Sequence, residues 1–310
     1  MQASFPLTQT LDYLGILSVQ GPDAKTFLQG QVTCDMNEVT LTQSRLSAHC
    51  TLQGRIQSLF RVVCADDGHS GGGPCYYLIL PRSLLEIALK SLKKYALFSR
   101  VTLLDHSDKM TVLGAQAEDN TLNNLEIDKI NVDETRALTH NQHTLLLTRV
   151  PNEQASPKRF EILIPTALSN TFGNPTDLKW QTRDILAGIP HLCAETCDLF
   201  LPHYLNLPAL QAVGFKKGCY LGQEIIARMH YKGNIKKHLI RATVQSNTPP
   251  IPGEKIFFGN TDDQSSPPGT LVCAAPSLNN NTHYELLIVL DDSAVGKTNL
   301  YLGAHEISLT

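Results

Sequence analysis

The chain has 310 residues, a length that predicts two or three domains, and its 42% hydrophobic and 18% charged residues are typical of a globular protein. The first ten residues lack the pattern of a secretory signal or transit peptide, and no apolar run reaches membrane-spanning length, so we expect a cytoplasmic protein without membrane contact. The net charge of −3 by itself neither favours nor excludes a nucleic-acid partner.

The N-terminal third predicts a β-α-β-β-α-β unit of the ferredoxin-like type. A glycine-rich loop is expected at 68–74, and Gly54 is expected to bend the long extended segment. The predicted elements are a strand at 15–20, a helix at 23–29, an extended segment at 45–64, a strand at 76–80, a helix at 82–97 and a strand at 101–104.

The middle of the chain resembles a degraded copy of this unit. It contains predicted strands at 110–115, 145–147 and 160–164, a short helix within 118–131 and a helix at 178–187. We therefore predict a duplicated α+β core, with the first ferredoxin-like unit at 1–107 and the second at 108–237.

From residue 238 onward the sequence changes character. Short apolar runs at 238–244, 255–258, 269–274, 284–290 and 299–303 alternate with turns rich in Pro, Gly, Asn and Asp. This pattern predicts a small antiparallel β-barrel over 238–310.

Three glycines recur at every fourth position before a predicted helix: Gly214, Gly218 and Gly222. Cys219 lies within this segment beside Lys216 and Lys217, and both nearby cations and a helix N-terminus favour the thiolate. We expect an accessible, reactive cysteine. The alternative is that Cys219 is a small buried hydrophobic residue, as most lone cysteines are.

The other cysteines do not predict a metal centre. No Cys-x2-Cys pair occurs, and Cys193 and Cys197, the only close pair, fall in a predicted loop between prolines without further ligands at a suitable spacing. The eight cysteines are Cys34, Cys50, Cys64, Cys75, Cys193, Cys197, Cys219 and Cys273.

Residues 216–241 form a basic segment with a net charge of +6. Such a segment favours an anionic partner, which the sequence leaves open as a carboxylate tail, a phosphate or an RNA backbone. The alternative interpretation is an ordinary solvated charged surface.

The octapeptide Lys217-Gly218-Cys219-Tyr220-x-Gly222-Gln223-Glu224, with Arg228 after it, resembles the signature of the YgfZ family. These are folate-binding proteins linked to iron–sulfur cluster assembly and repair, and they are related in fold to the glycine-cleavage T-protein. Two further blocks, at 21–35 and 187–190, resemble the family, so the likeness covers nearly the whole chain and weakens after about residue 240.

The resemblance implies a central cavity that binds tetrahydrofolate or a one-carbon derivative. It places Gln31, Thr33 and Asp35 beside the folate and assigns the Glu161 carboxylate to the pterin N–H groups. Apart from the resemblance, Arg55 beside the Gly54 bend is a candidate partner for an anion. The residues themselves leave simpler interpretations open: Thr33 and Asp35 as turn or cap residues, and Glu161 on the wet face of an amphipathic strand.

One departure from the T-protein makes an enzymatic activity uncertain. Where that enzyme has an acidic pair, this chain has Gln57 and Ser58, whose neutral groups do not replace carboxylates in proton transfer. The predicted core is therefore of the T-protein type with changed chemistry.

The function predicted from the sequence is support of iron–sulfur cluster assembly or repair in other proteins. Cys219 acts as nucleophile, redox thiol or transient ligand at the mouth of the folate cavity, Tyr220 and Gln223 shape that mouth, and Glu224 pairs with Arg228. Lys217 is expected to lower the thiol pKa and to bind an anion. The expected partners are folate and iron–sulfur proteins or their assembly factors. The alternative is a folate-dependent one-carbon transferase or a tRNA-modification factor, with tRNA bound through 216–241.

Overall fold

The computed structural model describes residues 7–66, 74–117, 130–140, 143–152, 157–171, 174–259, 267–280 and 282–310. The described residues form two β-sheets and a closed β-barrel, joined by short helices and loops. Most of the predicted glycine-rich loop at 68–74 and of the predicted short helix within 118–131 lies outside the described residues.

The first sheet has five antiparallel strands, and two helices accompany it. In chain order the N-terminal elements are β1 (Leu7–Thr10), β2 (Leu14–Gln20), α1 (Ala24–Gln31), β3 (Arg45–Cys50), β4 (Ile56–Ala65), β5 (Cys75–Pro81), α2 (Arg82–Tyr95), a short 3-10 helix (Ala96–Phe98) and β6 (Thr102–Asp105). The strand order is β3-β4-β5-β2-β6, in which β4-β5-β2-β6 is the ferredoxin-like arrangement and β3 is added at the edge by a hairpin.

The second sheet has the order β11-β1-β7-β10-β9-β8. Its elements are β7 (Met110–Ala117), β8 (Thr135–His140), β9 (His143–Val150), β10 (Lys158–Pro165), a 3-10 helix (Thr166–Thr171), β11 (Asn174–Pro175) and α3 (Trp180–Leu186). The N-terminal strand β1 lies beside β7, as β6 lies beside β2 in the first sheet. The first described strand therefore belongs to the second sheet, a pairing between distant segments that local periodicity does not predict.

The two sheets pack against each other through a shared apolar layer. Ile16 and Ile79 of the first sheet belong to the same buried cluster as Val112 and Leu163 of the second. Trp180 of α3 completes this layer, and it sits so close to Gly114 of β7 that a Cβ there would lie 2.5 Å from the indole ring. This face-to-face packing creates an interior between the sheets.

The segment between the second sheet and the barrel is mostly loop. It contains short 3-10 helices at Ala194–Thr196 and Pro202–Leu205, followed by α4 (Gln223–Lys232). Ile226 is the fully buried side chain of α4, and it joins the same core cluster as Leu28 of α1. The helix predicted after Gly222 is therefore present, and it is anchored on the first unit.

The barrel closes in the order β12-β15-β14-β13-β16-β17. Its strands are β12 (Lys237–Gln245), β13 (Lys255–Phe258), β14 (Gly269–Pro276), β15 (His283–Asp291), β16 (Leu300–Leu302) and β17 (His305–Leu309). Alternate side chains point inward, as Ala242 and Val244 do on β12. The predicted α+β core with a C-terminal antiparallel barrel is confirmed. The closing strand β17, which pairs with β12, is absent from the prediction.

Among the described residues, no helix combines the length and the apolar composition needed to cross a bilayer. The side chain of Asp23, at the start of α1, forms no capping hydrogen bond. Its carboxylate instead accepts hydrogen bonds from the backbone and guanidinium of Arg100, both at 2.9 Å.

Candidate functional site

The loop that carries Cys219 is held in place by close backbone contacts. Gly222 has a φ of +80°, and a Cβ on it would lie 2.4 Å from the carbonyl oxygen of Thr51. The Leu221 amide donates to the carbonyl of Gly30 at 3.1 Å. The loop therefore lies against the end of α1 and the turn between β3 and β4.

Cys219 is an exposed free thiol, as the sequence predicts. It lines an open depression of about 420 Å³ at the start of α4, together with Gly30, Leu52, Gly222 and Glu224. Leu52 is 68% exposed there, so an apolar side chain stands beside the thiol. The site is a shallow surface and not an enclosed pocket.

Lys217, which we expected to lower the thiol pKa and to bind an anion, directs its ammonium into the interior. The residue is 8% exposed, and its ammonium donates to the carbonyl oxygens of Val32 and Cys34, both at 2.7 Å. The same nitrogen lies 4.7 Å from the centre of the Tyr220 ring. Burial lowers the pKa of Lys217 to about 8. The lysine therefore ties the loop to the segment after α1.

The remaining signature residues divide between the interior and the surface. Tyr220 is buried, and its amide donates to the side-chain oxygen of Gln223 at 3.3 Å. Glu224 and Arg228 are both exposed. No ion pair joins them in the part of the chain that the structure describes. The expected Glu224–Arg228 pair is therefore not formed.

Three of the predicted folate residues lie beneath this loop. The Thr33 hydroxyl donates to the Ala212 carbonyl at 2.7 Å and accepts from the Ala48 amide at 2.9 Å, so its hydrogen-bonding capacity is used internally. Asp35 accepts from Gln29 at 3.0 Å and from the Asn37 amide at 2.9 Å.

Burial opposes ionisation of Asp35, but these hydrogen bonds keep its pKa below the usual value. The side-chain oxygen of Gln31 is buried and has no hydrogen-bond partner among the described residues. Arg55 is exposed and donates to the Leu199 carbonyl at 2.9 Å.

Glu161 lies elsewhere, in the interior between the two sheets. Its carboxylate accepts a hydrogen bond from the Arg61 guanidinium at 3.0 Å, and Arg61 also pairs with Asp133. Burial raises the pKa of Glu161, although Arg61 acts in the opposite direction. Glu161, Arg61 and His191 line a small cavity of about 50 Å³, which we call the central cavity.

A second buried ion pair flanks this cavity. Asp184 of α3 accepts from Arg159 of β10 at 2.7 Å and from the His191 ring at 2.7 Å. Burial opposes the charge on Asp184, but Arg159 and His191 hold its pKa below the usual value. Arg159 is also stacked 4.7 Å above the Trp180 ring.

A wider pocket of about 320 Å³ adjoins the cavity and shares Pro81, His191 and Leu192 with it. Arg82 and Cys193 line its outer part. Together the two spaces reach the lower end of the size range of small-molecule sites, roughly 300–1,000 Å³.

The predicted site residues therefore fall into two places. Cys219 lines its own depression and does not line the central cavity, contrary to the expectation that it lies at the cavity's mouth. The loop packs on the turn before Ile56, whereas the cavity is lined by Leu59, Phe60 and Arg61, three to five residues further along β4, or about 10–17 Å at the usual rise of a strand.

Sequence analysis missed the cationic partner of Glu161. Arg61 is the single charged residue in the ten-residue β4, and a charge within such an apolar run is the signal that identifies it. Gln57 and Ser58, at the positions of the missing carboxylates, do not line the cavity. Gln57 accepts instead from Ser91 of α2 at 2.8 Å.

The basic segment is less positive at the surface than its sequence suggests. Lys217 is buried, Lys237 pairs with Asp291 at 3.1 Å, and Arg241 donates to the Leu186 carbonyl. The exposed cations without an ion pair in the described structure are Lys216, Arg228, Lys232 and Lys236.

The cysteines form no recognisable metal centre in the structure as described. No group of three or more His, Cys, Asp or Glu side chains that could hold a metal ion is found in that part. Cys193 and Cys197 are half-buried, and the Cys197 thiol donates to the Gln57 carbonyl at 3.6 Å.

Sequence comparison finds relatives along most of the chain. A protein of Vibrio atlanticus named tRNA-modifying protein YgfZ is 33% identical over 75% of this chain and 68% of its own length. The protein of the same name from Photorhabdus laumondii is 32% identical over 94% of this chain and 86% of its own length. The protein of the same name from Escherichia fergusonii is 33% identical over 82% of this chain and 77% of its own length. No family model matches the chain.

Among solved structures, the glycine cleavage system aminomethyltransferase T of Bartonella henselae is similar in fold. It superposes with a TM-score of 0.68 at 14% sequence identity, over 99% of this chain and 85% of that protein. At this identity the likeness shows the fold alone. It confirms the predicted T-protein type of core.

Proposed function

This chain belongs to the YgfZ family, and on that basis we propose that it is a folate-binding protein that supports the modification of tRNA, with Cys219 as its functional thiol. The part of the proposal that concerns tRNA is supported by the relatives' name, tRNA-modifying protein YgfZ. The observation that carries the rest is the separation of an enclosed, charged cavity from an exposed thiol on an open surface. The cavity suits a small ligand, and the open surface suits a macromolecule.

The central cavity offers the groups that a reduced folate needs. One oxygen of Glu161 accepts from Arg61, while no described hydrogen bond occupies the other oxygen, which is therefore available to the N–H groups of a pterin ring. Arg82 in the adjoining pocket is a cation for the carboxylates of the folate tail. A bound reduced folate would supply one-carbon chemistry at this place. Because the inner cavity is narrow, neighbouring side chains must move for the ring to enter.

Calorimetry with tetrahydrofolate tests this assignment. We expect Glu161→Gln to weaken binding at least tenfold, since the amide is a poorer partner for the pterin and leaves Arg61 with one carboxylate. Asp35→Asn is the matched control, because that carboxylate lies under the signature loop, and we expect it to bind like the unmodified protein. Strong loss in Asp35→Asn with normal binding in Glu161→Gln would move the folate site to the loop.

Maintenance of iron–sulfur clusters in other proteins is the second candidate function. Its supporting observation is the open surface around Cys219, where Leu52 is 68% exposed and available for contact with a client protein. In this candidate the thiol serves a client protein or an assembly factor, and the effect on tRNA follows through cluster-containing enzymes.

A Cys219→Ser replacement in a strain lacking the gene separates the candidates. The first predicts loss of modified tRNA nucleosides, measured by mass spectrometry, with normal activity of an iron–sulfur enzyme that does not act on tRNA. The second predicts loss of both. Full recovery of both by Cys219→Ser would show that the thiol is not functional.

A further inference from the structure

The C-terminal half of α4 carries a cluster of aromatic rings. Phe215 and His230 are stacked with their centroids 3.6 Å apart and their planes 14° from parallel. The Tyr231 ring contacts His230 edge-on at 4.8 Å and Phe215 at 6.3 Å. His203 lies on the inner side, 6.1 Å from both Phe215 and His230.

The two outer rings, Tyr231 and His230, are exposed and yet held in position. Tyr231 is 66% exposed, and His230 is exposed beside it, whereas His203 is 5% exposed. Burial, assisted by His230, lowers the pKa of His203, so the inner ring is neutral near pH 7. The edge contacts fix the orientation of Tyr231 without covering it. An aromatic ring fixed in this way loses little entropy when a planar partner stacks on it.

Three exposed cations lie close to the cluster in the chain. Lys216 follows Phe215 and Lys232 follows Tyr231 in the chain, and both are exposed. Arg228 precedes Tyr231 by three residues, so the two share a face of α4. The exposed carboxylate on this face is that of Glu224, at the opposite end of the helix.

We propose that Tyr231 and His230, with Lys216, Arg228 and Lys232 around them, form a stacking platform for an unpaired nucleotide of RNA. Single-stranded RNA is bound in general by aromatic rings that stack on bases and cations that meet phosphates, and both are present here. In base-paired RNA the bases are already stacked on one another, so a duplex contacts only the cations through its phosphates. This inference rests on the proposed function, because it specifies how tRNA is bound.

The platform is aligned with the thiol. Glu224 lines the Cys219 depression, and it shares one face of α4 with Arg228 and Tyr231. Seven residues separate Glu224 from Tyr231, which is about 10 Å along the helix axis. An RNA strand with one base stacked at Tyr231 therefore passes its neighbouring nucleotides toward Cys219.

Fluorescence anisotropy with a labelled single-stranded RNA, a labelled RNA duplex and purified tRNA tests the proposal. Tyr231→Ala should weaken single-strand and tRNA binding by roughly 5- to 150-fold, as loss of one stacked base does, with an unchanged salt dependence. Lys232→Ala should weaken binding of all three and reduce the salt slope by about one contact. Tyr231→Phe keeps the ring and should bind like the unmodified protein.

Tyr95 is an exposed tyrosine at the end of α2, and Tyr95→Ala is the matched control. This variant should bind all three RNAs like the unmodified protein. Equal RNA binding by the unmodified protein and Tyr231→Ala would overturn the platform and leave the proposed function standing. If the unmodified protein binds none of the three RNAs at low salt, both direct tRNA binding and the platform are wrong. In that case, loss of protein-partner binding in Tyr231→Ala would identify the cluster as a protein interface.

Discussion

Gly222 lies against the carbonyl oxygen of Thr51, so that a methyl group on its Cα would stand only 2.4 Å from that oxygen. Its φ of +80° also falls in the left-handed region that L-amino acids with a side chain avoid. We predict that Gly222→Ala destabilises the protein by at least about 2 kcal/mol, because the strain and the clash add. Denaturant unfolding measures the loss, and alkylation of Cys219 reports whether the loop moves.

Gly218→Ala is the control within the same signature. Apart from its chain neighbours, no atom of the described residues lies within 4 Å of a Cβ built on Gly218, and its φ is not in the left-handed region. We expect its stability to stay within about 0.5 kcal/mol of the unmodified protein. Equal destabilisation by both changes would mean that the packing of Gly222 on Thr51 does not hold the loop.

The adjacent residues Lys216 and Lys217 are expected to differ in how much their replacement by alanine destabilises the protein. Lys217→Ala leaves the carbonyls of Val32 and Cys34 without their donor and opens a buried gap, so we expect destabilisation by about 2–4 kcal/mol. Lys216→Ala removes an exposed side chain and should change stability by less than about 0.5 kcal/mol. Unfolding in denaturant compares them directly. Similar stabilities of the two variants would contradict the buried role of Lys217.

These lysines also show what the sequence predicts and what it cannot. Local patterns are sufficient to place Cys219 before a helix and to predict most strands, because periodicity and turn residues act over a few positions. The ammonium of Lys217, however, bonds to carbonyls 185 and 183 positions away, and Arg61 meets Asp133 and Glu161 across 72 and 100 positions. Such partners depend on the packing of the two units.

The same limit explains the elements that were missed. β1 is a four-residue strand whose partners, β7 and β11, lie more than 100 residues later. Its sequence, Leu-Thr-Gln-Thr, is too short to identify a strand or the sheet to which the strand belongs. The position of Cys219 relative to the cavity likewise depends on which face of the first unit receives the loop, and the signature itself does not specify that face.

Arg61 compensates two carboxylates whose side chains are 13% and 15% exposed, and its removal is predicted to be costly. Arg61→Met leaves Glu161 and Asp133 without their cation, so we expect a loss of about 3–5 kcal/mol in the free energy of unfolding. Adding Glu161→Gln and Asp133→Asn to Arg61→Met should recover part of the loss, because no unpaired charge then remains. Denaturant unfolding of the single and triple variants measures this. A triple variant less stable than Arg61→Met would contradict the charge argument.

Burial of His49 is expected to make the free energy of unfolding depend on pH. It is fully buried opposite Ser58 on β4, and neither ring nitrogen has a hydrogen-bond partner among the described residues. Burial lowers the pKa of His49 from 6.5 to about 4. Between these values the unfolded chain binds a proton that the folded protein does not, so folding stability falls as the pH decreases from about 6.5 to about 4. A difference of this size corresponds to about 3 kcal/mol.

The variant His49→Leu isolates this contribution. Leucine fills a similar volume without a titratable group, so the variant should match or exceed the unmodified protein near pH 7 and lose less stability on acidification. Denaturant unfolding between pH 7 and pH 4 should show the gap between the two proteins widening by about 3 kcal/mol. His143→Asn, at an exposed position on β9, should follow the unmodified protein throughout. If the curves for His49→Leu and the unmodified protein run parallel over this range, burial does not lower the pKa of His49 in the folded state and its ring has a partner.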